Sequence, residues 1–161
     1  MFREFATAIA LATLLGSTAM AADAPTVRSI DVEVDLSAVQ NVTAAAYWGG
    51  LSEDLKNAIA AKVANQIADD GVQIKVDIEE VELSNGFTET AGLADTKLVG
   101  KVKYDHPDAL RFQYIDLTID VNQVTPFLPE GYVLAAPTMN SKEYYMAMVN
   151  AFADAVVTSL K

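Results

Sequence analysis

The stretch VRSIDVEVDL, residues 27–36, decides the fold. Ile30, Val32, Val34 and Leu36 alternate with Asp31, Glu33 and Asp35. A period of two puts apolar side chains on one face and carboxylates on the other, the pattern of a strand buried on one side only. Such strands need one covering layer and leave their second face to water or to a partner.

Three later segments repeat the pattern. Val72, Ile74, Val76 and Ile78 alternate, and the phase then slips to Val81 and Leu83, which a bulge at Glu79-Glu80 would absorb. Asn85-Gly86 signals a turn, within a polar stretch to Asp95 that is too long for a tight hairpin. Leu98, Val102 and Tyr104 share one face of a third strand, with Val99, Lys101 and Lys103 in the opposite phase. After a turn at His106-Pro107-Asp108, Ile115, Leu117, Ile119 and Val121 alternate with Asp116, Thr118 and Asp120, while Phe112 and Tyr114 are out of phase with that apolar set.

Two amphipathic helices supply the covering layer. Leu55, Ile59, Val63 and Ile67 recur every four residues after a candidate N-cap at Ser52, with Glu53 and Asp54 in the first turn and Gly71 as the stop. Tyr145, Met148, Val149, Phe152, Val156 and Leu160 form the stripe of a last helix capped by Ser141. Residues 39–50 read as a loop that could contain one helical turn, and residues 125–140 as a proline-punctuated loop. The expected architecture is α+β: a two-layer sandwich in the order β-α-β-β-β-α, with both helices on one face of a four-stranded, mostly antiparallel sheet.

Ahead of this domain, MFREFATAIALATLLGSTAMA, residues 1–21, has the form of a cleavable export signal. Arg3 marks a short n-region, Ala6 to Leu15 an apolar h-region, and Ala19-Met20-Ala21 a small-x-small cleavage pattern. The apolar run falls short of the ~20 residues that a membrane-spanning helix needs. The expected organisation is a signal peptide at 1–21 and a single domain at 22–161, in a periplasm or outside the cell.

The 161 residues carry a formal charge of -11 and no cysteine. Such a balance opposes binding to phosphate backbones, so nucleic acid is not an expected partner. The lack of thiols excludes disulfides, thiolate metal sites, cysteine nucleophiles and a lipid anchor attached through cysteine.

Motifs of known chemistry are weak. His106 is the single imidazole, lies in a turn that should be solvent-exposed, and has no Gly-x-Ser-x-Gly elbow to work with. Gly100-Lys101 ends no phosphate loop, since Val102 replaces the required hydroxyl. Asn41-Val42-Thr43 is a glycosylation sequon, which a bacterial exporter would not use. Carboxylates alone could run glycoside hydrolysis, but their abundance makes that a weak indicator. No cofactor is implied.

Two sets of residues are candidates for contact. Tyr47, Trp48, Phe127, Leu128 and Tyr132 are aromatic or apolar residues in expected loops, where they either fold over the core edge or present a patch to a partner. Asp31, Glu33, Asp35, Asp116 and Asp120 belong to the acidic sheet face, which could instead hold a divalent cation or small ligand, although cross-strand pairing with the lysines is the plainer role. The sequence thus favours a non-enzymatic accessory module that touches an envelope or secreted protein. A cation carrier comes second and a carboxylate hydrolase third.

Overall fold

A computed structural model describes residues 25–35, 42–78, 97–108, 111–134 and 141–160. The leader, Leu36, the Glu79-Glu80 slip, the Asn85-Gly86 turn and Asn41 lie outside the described residues. The strands are β1 (Val27–Val34), β2 (Val72–Ile78), β3 (Leu98–Asp105) and β4 (Phe112–Ile119). The helices are α1 (Val42–Trp48), α2 (Leu51–Lys62), the single turn α3 (Val121–Val124) and α4 (Lys142–Thr158).

The class is α+β, built on a four-stranded mixed sheet in the spatial order β1-β2-β3-β4. β1 and β2 run parallel, whereas β2–β3 and β3–β4 are antiparallel. The parallel pair follows from the connection: α1 and α2 carry the chain back along the sheet before β2 begins. Helix α2 packs on β1 and on α4, and α4 packs on β3 and β4.

Register places the alternating sets as their period requires. Ile30, Ile74 and Tyr104 form one row of the core face, and Val32, Val76, Val102 and Ile115 the next. Val34, Ile78, Gly100 and Leu117 make the third. Gly100 is required there by packing: an added Cβ would lie 2.7 Å from Ile78 Cδ1 and 3.0 Å from Phe152 Cζ, so α4 seats its phenyl ring directly on the β3 backbone. The Tyr104 hydroxyl crosses the core to donate to the Val156 carbonyl at 2.7 Å, tying the last turns of α4 to the sheet. All six stripe residues are buried, five on α4 and Leu160 just past its end.

Four expectations are corrected. Ser52 does not cap α2; Gly50 occupies the N-cap, and Ser52 Oγ instead donates to the Val32 carbonyl of β1 at 2.7 Å. Helix α2 stops at Lys62 rather than running to Gly71, so Ile67 leaves the stripe, becomes exposed and forms an isolated parallel bridge with Val27. Gly71 serves a close approach and not a helix stop: a Cβ there would sit 2.6 Å from Thr26 C and Val27 N. The second expected loop also holds a 3-10 turn at Thr125–Phe127, while α1 is the helical turn that the sequence allows within the first. A capping box precedes that turn, in which the Asp120 side chain accepts from Asn122 N and Gln123 Oε1 accepts from Asp120 N.

Candidate functional site

The aromatic set divides by burial. Trp48 has 0% exposure and lies in the core cluster, so α1 turns it inward and leaves it no surface for a partner. Its ring lies 4.9 Å from Tyr47 and 5.9 Å from Tyr145, in edge-on and tilted contacts. Tyr47, Phe127, Leu128 and Tyr132 are half-buried and pack against the same core.

Hydroxyl bonds hold this end of the helical layer together. Tyr47 donates to the Ser141 carbonyl at 3.4 Å, Tyr132 and Ser141 share a bond of 2.8 Å, and Tyr145 donates to Asp54 Oδ2 at 2.7 Å. Burial pushes the Tyr144 phenol up to about 12 and raises Tyr47, Tyr104 and Tyr145 as well, because a phenolate would lose its hydration. Beside this cluster, Phe127, Pro129, Met146 and Ala147 line a shallow apolar groove of about 290 Å³, with Lys142 and Glu143 on its rim.

The five carboxylates are not brought together. Asp31 and Glu33 are on β1 and Asp116 is on β4, the two opposite edges of the sheet. Three strand spacings separate those edges by about 14 Å, far beyond the reach of one cation's ligands. Asp120 is occupied as the cap of α3, and Asp35 follows the end of β1. Among the described residues no group of three or more His, Cys, Asp or Glu is placed to hold a metal ion. His106 is half-buried, not fully exposed, and its backbone N–H donates to the Arg111 carbonyl across the β3–β4 turn.

The open sheet face carries an ordered pattern instead. One cross-strand row reads Asp31, Lys75, Lys103, Tyr114, and the next Glu33, Asp77, Lys101, Asp116. Lys103 Nζ lies 2.7 Å from Asp105 Oδ1, and Lys75 Nζ lies 3.7 Å from Asp105 Oδ2. The bond from Lys103 holds the Asp105 carboxyl below its ordinary value, and the same bond raises Lys103. Lys103–Asp105 is thus a pair within β3, and only Lys75–Asp105 joins neighbouring strands; both stay partly accessible.

At the β4 end of this face stand Phe112 and Tyr114, each 62% exposed, with ring centroids 5.5 Å apart and planes at 73°. Lys103 Nζ sits 5.6 Å from the Tyr114 ring centre, within cation–π range. Their phase in the sequence already put them opposite Ile115 and Leu117. That phase was the signal that could have selected them; loop position drew attention to Trp48 instead. At the β1 end, Asp31, Glu33, Lys56, Lys75 and Asp77 line a polar groove of about 560 Å³.

Among the described residues no helix is long and apolar enough to cross a membrane. Comparison with known protein families, curated proteins and solved structures finds no match to this chain.

Proposed function

We propose that this chain is an exported, non-enzymatic accessory module that works by touching another protein through the open face of its sheet. In this reading residues 1–21 are removed and residues 22–161 act as one domain in the periplasm or outside the cell. The observation that supports the contact is the Phe112–Tyr114 pair. Two large rings at 62% exposure, side by side on a rigid strand, are a feature that a surface with no contact to make would lose. Aromatic residues beside lysines that are themselves held by Asp105 combine an apolar anchor with a polar rim, the usual build of a recognition patch.

The half-buried Phe127 and the apolar groove beside it form a secondary contact region on the helical side, with Tyr47, Leu128 and Tyr132 supporting it from the core edge.

Site-specific photocrosslinking tests the reading. A crosslinking amino acid at position 112 or 114, introduced in the native host, is expected to give a discrete protein adduct. The same group at Lys56, on the acidic groove, is expected to give none. Absence of any adduct at 112 and 114 would remove the contact role. N-terminal sequencing of the exported product is expected to begin near Ala22, and an intact Met1 would remove the address.

A further inference from the structure

From the build of strand β4 we infer that the partner at this edge is a second copy of the chain, joined β4 to β4 in antiparallel register so that two four-stranded sheets become one. The inference rests on the reading of the Phe112–Tyr114 patch as a contact surface.

Three observations carry it. First, the edge is open and regular. β4 pairs with β3 over all eight residues without a register shift, and among the described residues no strand lies on its outer side. Its sequence, FQYIDLTI, has no proline or lysine and one charge, Asp116, so it lacks the usual devices that stop an edge from pairing further. Second, the edge is apolar on both faces. Phe112 and Tyr114 stand on the open face, and Ile115 and Leu117 stay half-buried on the core face. A strand added here must offer apolar residues in both phases, and β4 itself does.

Third, the charges suit a copy better than a basic partner. Near β4 the open face carries Lys101 and Lys103 against Asp105 and Asp116, an even balance. On β1 and β2 it carries Asp31, Glu33 and Asp77 against Arg28 and Lys75, a small acidic excess. The neutral end by β4 is where a second chain of charge -11 can approach.

A two-fold axis through Ile115 sets Ile115 against its own copy and Gln113 against Leu117. On the other face it sets Phe112 against Thr118 and Tyr114 against Asp116. No like charges meet. A contact made by two eight-residue edge strands is a small interface, so association is weak and concentration-dependent.

Sedimentation equilibrium of the purified protein, from about 10 µM to about 1 mM at low and high salt, tests this. The expected result is a monomer–dimer equilibrium that tightens with salt, because screening relieves repulsion between two acidic chains. Tyr114→Asp places a carboxylate opposite Asp116 of the second copy and is expected to weaken the dimer about tenfold or more, whereas Tyr114→Gln, which adds no charge beside Asp116 or beside Lys103 of its own chain, is expected to weaken it less. Position 114 is exposed, and circular dichroism of the monomer verifies that each variant folds. A monomer at all concentrations and salts, or a dimer indifferent to Tyr114→Asp, would overturn the inference. If the purified protein stays monomeric while position 112 crosslinks to a different protein in the host, the second copy is excluded and the contact surface stands.

Discussion

Strand β1 has an irregular register between Val27 and Ser29, carboxylates at Asp31 and Glu33, and a helix residue, Ser52, bonded to its Val32 carbonyl. Its first residue is bridged by Ile67, and the Ala68 N–H donates to the Val27 carbonyl at 3.1 Å. Strand β4, at the opposite edge, keeps an unbroken register and presents two exposed rings. The two strands are equal in length, and each lays one face on the helices. What separates them is whether the chain's own segments have used the edge. Where they have, the edge is closed by structure and charge; where, among the described residues, they have not, β4 carries apolar side chains on both faces of the sheet.

Removing the closure of β1 should give the largest effect. Gly71→Ala forces a methyl group into the Thr26–Val27 backbone, which neither a rotamer change nor a side-chain shift can relieve, and a loss of about 3 kcal/mol in urea unfolding is expected. A loss below about 0.5 kcal/mol would show that the β1 entry is not tightly packed. Ser52→Ala removes one hydroxyl donor from the Val32 carbonyl and should lower stability by about 1 kcal/mol, with amide exchange rising in β1 and not in β4.

Acid should act on the other half of the sheet. The Asp105 carboxyl is held below its ordinary value, so its contribution is present above the unfolded pKa of about 3.9 and fades as the pH falls through the lower folded value. Asp105→Asn should therefore flatten the acid limb of a melting-temperature profile and leave the profile near neutral pH little changed in shape. The smallest effect on folding is expected from Phe112→Ser with Tyr114→Ser. Both side chains are exposed, so unfolding free energy should move by less than about 1 kcal/mol even as any association through β4 disappears. A large loss of stability would mean that the rings serve the monomer and would erase the contrast between the edges.

Much of this contrast could be read from residue order. Alternation of Ile30 with Asp31, or of Ile115 with Asp116, is a local property of the chain, and the register carried those phases unchanged into one apolar and one polar face. The parallel pairing of β1 with β2 could not be read, because which strands become neighbours depends on how two helices pack over them. Ser52 and Gly71 illustrate a second limit. Each has the residue type of a helix boundary, yet the hydroxyl went to a strand 20 residues earlier and the glycine to a backbone crossing. Tertiary demand outweighed local preference at both. Trp48 misleads for a related reason: a seven-residue helix beside two glycines has little stability of its own and forms because its tryptophan is swallowed by the core.

That burial gives the protein a built-in optical reporter. The single indole, edge-on to one phenol, tilted against another and shut off from water, emits from an apolar cage. Its fluorescence will shift to the red when α1 detaches from α4, without any dye or label.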